Sequence, residues 1–475
     1  MPMPSDPAAV PASATAIAKV RLYCGLLGDC FLLEFPTADG APPHRMLIDF
    51  GVLLGMASGA ARLPAIAEDI HCKTGGGLDA VVLTHRHWDH LCGFGKHPEF
   101  VDDGKIGQLW MSWIEDPDNA AAKSIRGVLD KGEETLAKLG MAVQASPAAT
   151  RSDAALDNIL DFAGRSQAAL TATRGKSTVQ MLEDLRDRVP PAQQRYHKPG
   201  DVIPLPGTGV RVFVLGPPTD EHRLRQQNPS ADKHEVYKLS DALDDLRALP
   251  VLTVAAAEVD SLSSPFAHSA GEPLPSDAAQ ADDWLKRTYF APGADWRQIG
   301  DAWLGSASDL AMQFDSIINN TSLVLAFELA PKGAVMVFAA DAQVGNWLSW
   351  SEATWDAAIV AEMGGDVVKS LLERTTFYKV GHHGSINATA RAAGLEQMTS
   401  GDLTVFIPVD EAFARQSKRW DMPHASLLDR LTQASGGRVL RGDRRPDGLP
   451  ANSRVIVTAS PDDTAAPFYI DLELS

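Results

Sequence analysis

Residues 81–90 read Val81-Val82-Leu83-Thr84-His85-Arg86-His87-Trp88-Asp89-His90, an apolar run that gives way at once to four metal-binding side chains in six positions. Val81, Val82 and Leu83 have the β-branched, apolar character of a short buried strand, so the polar cluster begins where that strand stops. His85 and His87, two apart, can converge on one ion, while Asp89 and His90 come from the following turn and can face a second. Imidazole suits Zn, Mn or Fe, and the carboxylate adds a hard oxygen. A surface loop that happens to hold histidines is the competing reading. It fits poorly, because three of only 13 histidines fall in these six residues.

Working outward, residues 18–35 pack apolar residues around Gly25, Gly28 and Asp29, and residues 45–50 form a second run ending in Asp49-Phe50-Gly51. Two strands joined by a short Pro-rich turn account for both. Downstream a strand is expected near residues 108–113. Helical periodicity follows at Leu156, Ile159, Leu160 and Phe162 and again at Val179, Leu182 and Leu185. The segment starting at Lys198-Pro-Gly-Asp, with residues 210–218, reads as a hairpin returning to the sheet. Residues 219–312 are acidic and rich in Ala, Ser and Asp, which suggests an insertion of helix and loop with the 241–245 carboxylates on a solvated face. Residues 317–329 and 334–340, joined at Pro331-Lys332-Gly333, predict two buried strands ending at Asp341. Helices near 351–361 and 366–373 then precede a strand at 376–380 that runs into Gly381-His382-His383-Gly384-Ser385. This alternation predicts an α/β protein, an αββα sandwich of two sheets flanked by helices and interrupted by two large, mainly helical insertions.

The expected organisation is a flexible N-terminal tail (1–16), a first core half (17–115), a helical insertion (116–195), a core hairpin (196–218), the acidic insertion (219–312) and a second core half (313–475). Asp and Glu number 61 against 43 Lys and Arg, a formal charge of −18. Such a field repels polyanions at long range and disfavours bulk binding to long duplex DNA. No apolar run reaches the length of a membrane span, and the Pro-, Ala- and Ser-rich first sixteen residues lack the basic start and apolar core of a secretory signal. Cys24, Cys30, Cys72 and Cys92 match no zinc ribbon or disulfide framework, so reduced thiols in a cytoplasmic protein are expected.

The string His85-x-His87-x-Asp89-His90 resembles the signature of the metallo-β-lactamase fold, a superfamily of mostly hydrolytic mono- and dinuclear metalloenzymes. Gly25-Leu-Leu-Gly-Asp29 and Lys379-Val-Gly-His382-His383-Gly-Ser385 resemble its ComEC-like branch, and Met46-Leu-Ile-Asp49-Phe-Gly resembles the superfamily's first motif. The likeness covers roughly 18–115, 196–218 and 313–430. It implies one or two divalent ions, Zn2+ or Mn2+, held by His85, His87, Asp89, His90, Asp341 and one residue of the final pair. Asp341 would bridge the ions and Asp49 would buttress the ligands. The motif does not say which of His382 and His383 is the ligand; His383 is expected there, with His382 facing substrate.

Asp89, His382, Ser385 and His424 are the candidate catalytic residues. Gly384 and Ser385 would offer backbone N–H and hydroxyl donors to a developing oxyanion. His424 is either a general acid or substrate contact, or a plain helix N-terminal residue. Asn319, Asn320, Thr321 and Ser322 are either substrate contacts or side-chain caps on the backbone. Many members of the fold add a further ligand histidine; His197, His222, His234 and His268 lack strand-end context and read as surface or capping residues.

The function implied is hydrolysis by a metal-activated hydroxide. The favoured substrate is a small or single-stranded phosphodiester: a nucleotide, a short nucleic acid or a lipid-like molecule. Two alternatives stand beside it. One is lactone, thioester or amide hydrolysis at the same site; the other is an effector activated by a protein partner docked on the insertions.

Overall fold

The computed structural model describes residues 17–38, 40–97, 105–144, 177–226, 282–288, 290–291, 314–462 and 464–475. The expected tail at 1–16, the periodic residues Leu156, Ile159, Leu160 and Phe162, the 241–245 carboxylates, His234 and His268 lie outside the described residues.

Six strands open the first sheet: β1 (Ala18–Tyr23), β2 (Cys30–Phe35), β3 (His44–Phe50), β4 (Leu78–Val82), β5 (Ile106–Ser112) and β6 (Gln194–His197). Seven more make a second sheet: β7 (Val202–Pro204), β8 (Arg211–Gly216), β9 (Val324–Glu328), β10 (Val335–Phe338), β11 (Thr375–Lys379), β12 (Thr404–Ile407) and β13 (Val439–Arg441). The chain then returns to the first sheet with β14 (Val455–Ala459) and β15 (Tyr469–Leu474), giving the orders β14-β15-β1-β2-β3-β4-β5-β6 and β13-β12-β11-β10-β9-β8-β7. Both sheets are mixed. From β3 to β6, and from β10 to β13, neighbouring strands run parallel, and the remaining pairs are antiparallel.

The period of two along each strand explains how the layers form. In β3, Met46 and Ile48 enter an apolar layer shared by the two sheets, whereas Leu47 faces a second layer holding helix residues such as Ile66, Ile70 and Leu91; Phe50 joins that second layer where the positive φ of Asp49 (54°) breaks the alternation. Aromatic rings bind the shared layer. Phe31 of β2 meets Phe338 of β10 at 5.6 Å and Phe406 of β12 at 6.0 Å, and Phe35 stacks on Phe327 at 5.6 Å. Each such buried ring contributes roughly 1.5–3 kcal/mol from removal of apolar surface from water. The structure is thus a mixed α/β protein with two facing sheets and helices packed outside them.

Several boundaries differ from expectation. Residues 18–35 form two strands instead of one, because Gly25 (φ +71°) and Leu27 (φ +41°) turn the chain between them. Residues 196–218 are divided between the sheets: His197 ends β6, and only β7 and β8 make the hairpin. Residues 314–320 are helical, so the buried strand begins later, at Val324. The 313–475 segment serves both sheets, since β15 pairs with β1. Cys24, Cys30, Cys72 and Cys92 are all free, and only Cys72 is exposed. No helix among the described residues is long and apolar enough to cross a membrane.

Candidate metal centre

Parallel pairing places the C-terminal ends of β3 and β4 on one edge of the first sheet, and those of β10 and β11 on one edge of the second. All four ends feed one cluster. Asp49 closes β3, His85 to His90 follow β4, Asp341 follows β10, and His383 follows β11. The edges are tied together where Leu323 N–H donates to Thr84 O at 2.8 Å.

Asp89, His90, Asp341 and His383 offer one donor atom each, and these atoms lie within 4.8 Å of one another. His383 Nε2 is 2.9 Å from Asp89 Oδ2 and 3.7 Å from Asp341 Oδ2, while His90 Nε2 is 3.2 Å from Asp341 Oδ2. Beside them His85 Nε2 lies 3.0 Å from His87 Nδ1. A divalent cation suits this donor set. The imidazole and carboxylate donors are buried together, and the Nε2 atoms of His87 and His90 have no hydrogen-bond partner. The buried Asp/His cluster could hold a metal ion.

Electrostatics point the same way. The buried Lys379 ammonium lies among these carboxylates, touching Asp29 Oδ2 at 2.5 Å and Asp341 Oδ1 at 3.4 Å. Burial opposes charge on His90, yet Asp341, Asp49 and Asp89 outweigh it and hold the ring's pKa well above the ordinary value. Burial likewise opposes the Asp341 anion, and His90, His383 and Lys379 overcome it to keep its pKa well below the usual range. His90 and His383 also bring Asp89 down to about 2 against its burial. Burial lowers His85 well below its ordinary value, and His87 and His382 to about 4, so these rings are neutral near pH 7 and keep a lone pair to donate.

The inner side chains are aimed by others behind them. Asp49 Oδ2 takes His90 Nδ1 at 2.6 Å and the Thr84 hydroxyl at 2.6 Å, and its Oδ1 takes Thr84 N–H at 2.9 Å. His383 Nδ1 bonds Pro408 O at 2.7 Å. Arg86 points the other way and ties the loop to the helix Ala120–Gln144 through Asp130 (2.6 Å) and Glu133 (3.0 Å). Gly51 permits a close approach: a Cβ there would stand 2.1 Å from Asp89 C and 2.2 Å from Asp89 O. Asp49, Ala340, His382 and His383 all adopt positive φ (54°, 47°, 38° and 53°). Such conformations cost of order 1–3 kcal/mol each in non-glycine residues and gather at functional sites.

A cavity of about 220 Å³ opens beside the cluster. Its walls include His87, Asp89, Asp341, His382, His383 and Ser385 from the sequence-derived set, with His85 and His90 buried behind them. His382 stands off the donor group, its Nδ1 3.1 Å from Gln343 Nε2. Leu53, Leu54, Trp88, Trp420 and Met422 form an apolar wall, and no Lys or Arg lines the cavity among the described residues.

Three expectations fail here. The His424 ring stays out of the cavity wall and meets Ser426 Oγ at 2.9 Å, while the backbone N–H of His424 donates to Gly384 O, so His424 is the helix N-terminal residue of the two readings. The N–H groups of Gly384 and Ser385 already donate to Gly381 O and His382 O, which leaves neither free for an oxyanion. The Ser385 hydroxyl remains in the wall, donating to Asn387 Oδ1 at 2.9 Å. His197 has strand-end context after all: it ends β6, is buried, and packs its ring on Trp110 at 4.6 Å. It is not in the donor group. His222 is an N-terminal helix residue capped by Asp220. Asn319, Asn320 and Thr321 bond Asp315, backbone carbonyls of Leu224 and Gln226, and Ile318 O, and Ser322 Oγ receives Asp341 N–H, so all four are structural.

Sequence reasoning missed Asp315, Gln343 and Asn387, which lie in no motif, and it assigned no role to Lys379. A lysine ending a strand that is buried throughout, Thr375–Lys379, was the available signal for the last of these. A scan against protein-family models and a search of curated proteins each return no match to this chain.

Proposed function

We propose that this protein is a metal-dependent hydrolase of the metallo-β-lactamase fold, acting on a small phosphodiester that carries an apolar or aromatic arm. The observation that carries the reading is the buried group of Asp89, His90, Asp341 and His383, assembled from strand ends of both sheets and opening onto a cavity. The order of ligand-bearing strand ends, two sheets with helices outside, and Asp49 behind His90 support the fold assignment.

Asp89, His90, Asp341 and His383 would hold one divalent ion, and His85 and His87, with Asp341 between the two, a second. Bound there, Zn2+ or Mn2+ acidifies water near neutral pH and offsets charge developing on a substrate oxygen. The chain's own groups do the rest. Neutral His382, steadied by Gln343, presents its ring to the cavity as a hydrogen-bonding partner for the reacting group or its leaving atom. Ser385 and Asn387 extend that polar wall, and Leu53, Leu54, Trp88, Trp420 and Met422 seat an arm and exclude water.

A second reading is hydrolysis of an uncharged ester, lactone or amide. The cation-free cavity wall favours it, since a phosphodiester would there depend on the metal ions alone for charge compensation. Purified protein should contain bound divalent metal and cleave chromogenic bis-aryl or alkyl–aryl phosphodiesters. Cleavage confined to carboxylic esters and lactones would replace the phosphodiester reading with the second. Bound metal with no turnover on either panel would leave the partner-activated alternative.

A further inference from the structure

The four rings around the cluster differ in how they are held from behind. His90 Nδ1 is gripped by Asp49 at 2.6 Å, His383 Nδ1 by Pro408 O at 2.7 Å, and His85 Nδ1 by the Thr84 hydroxyl at 3.1 Å, each leaving Nε2 to face inward. His87 is turned the opposite way. Its Nδ1 faces His85 Nε2 at 3.0 Å, so its Nε2 is the outward atom. That Nε2 is buried and without a hydrogen bond, and Asp315 Oδ1 stands 3.5 Å from it.

Asp315 is not there by accident of a flexible surface. Its side chain is 14% exposed, and its Oδ2 accepts from Asn319 Nδ2 at 2.9 Å, one turn along the helix at 314–320. Its near oxygen is therefore aimed while its far oxygen is fixed. The helix itself follows the 219–312 stretch, so the carboxylate reaches the site from a part of the chain unrelated to the motifs.

We infer that Asp315 is a positioning residue for His87: its carboxylate accepts the Nε2 proton, selects the tautomer with a free Nδ1, and so completes the half of the centre made by His85 and His87. Metal-bound histidines almost always donate their second ring N–H to a carboxylate, carbonyl or water, and loss of that partner typically costs 10–100-fold in metal affinity. At 3.5 Å the contact is longer than a good hydrogen bond. It is the longest of the four outer contacts.

This inference rests on the reading of the cluster as a metal centre, and metal binding tests both. The full chain, with D315A, D315N, H87A and the double variant H87A/D315A, is stripped of metal and titrated with Co2+ against a competing chelator, following the visible spectrum. The expected result is that D315A weakens one Co2+ equivalent by about 10–100-fold and alters its visible band. D315N should recover part of the loss, because its amide oxygen still accepts from Nε2–H. In the H87A background, D315A should add nothing.

Melting of the metal-free proteins separates positioning from folding: D315A should melt with the wild type when stripped and gain less on metal addition. Wild-type affinity and spectrum in D315A and D315N would overturn the inference and leave the metal centre standing. An equal loss from D315A in the H87A background would overturn it too, making Asp315 a direct ligand. If D315A does not fold, D315N decides alone, with unchanged Co2+ affinity and spectrum counting against the inference. A wild-type chain that takes up no Co2+ or Zn2+ would remove the metal centre and this role together.

Discussion

The two sides of the histidine cluster are built to different standards. On one side Asp89, His90, Asp341 and His383 converge within 4.8 Å, with His90 and His383 gripped from behind at 2.6 and 2.7 Å. On the other, His85 and His87 contribute two rings whose outer partners are a hydroxyl at 3.1 Å and a carboxylate at 3.5 Å. On the first side Asp89 and His90 sit in the first turn of the helix Trp88–Lys96 that follows β4, and Asp341 and His383 follow strand ends of the second sheet. The second side draws on the segment His85–His87 and on the helix at 314–320, which carries none of the motifs. A centre with this asymmetry should take its first ion on the four-residue side and its second more weakly.

Asp341 offers the hardest test of that asymmetry, because its carboxylate reaches His90, His383 and Lys379 at once. Asp341→Ala should empty both sides and reduce turnover to background, whereas His85→Ala should empty only the weaker one. Metal analysis of the two variants measures the difference. Full retention of two equivalents in Asp341→Ala would abolish the shared role, and loss of both in His85→Ala would make the two sides one.

The pair His382 and His383 sharpens the comparison next. His383→Ala should lose metal from the four-residue side. His382→Ala should keep it and lower kcat by about 10²–10⁴-fold, the usual contribution of an acid–base group. Equal metal content in both variants would take this motif out of the centre.

A smaller effect is expected from Asp49→Asn, which retains the shape but withdraws the carboxylate from His90 Nδ1. Metal affinity of the four-residue side should fall about 10–100-fold, with the His85 and His87 side unchanged. Chelator competition reads this directly, and an unchanged affinity would mean that the 2.6 Å contact does not tune the ligand.

The smallest effect is expected at His197, buried at the end of β6 with an unpartnered Nε2 but outside the donor group. His197→Ala should leave metal content unchanged. Loss of one equivalent would mean that the weaker side has a third histidine and that the asymmetry is smaller than it looks.

The contrast between the sides follows how each was visible along the chain. The segment His85–His90 was legible because its four donors fall within six residues and follow an apolar run. Asp341 and His383 were legible because each also ends a buried strand. Asp315 has no such context: it lies in a helix whose later residues, from 317 on, sequence periodicity read as strand, and its bond to Asn319 appears only once that helix forms. His424 and the backbone of Gly384 failed for a related reason. Whether an N–H is free or already spent is a property of turn geometry, and residues 381–385 fold back on themselves through positive φ at two histidines where no glycine announces it.

By itself the sequence determined the layer pattern, the positions of the strand ends and the identity of most donor side chains. Those are local properties: a period of two sets which residues are buried, and a polar residue after an apolar run marks where burial stops. The tertiary structure alone decided that β14 and β15 return to the first sheet, that Lys379 sits between Asp29 and Asp341, and that Asp315 stands behind His87. Each depends on residues tens to hundreds of positions apart meeting at one edge. Parallel and antiparallel pairing fix such meetings by the register of whole sheets, and no short window of residues contains that register.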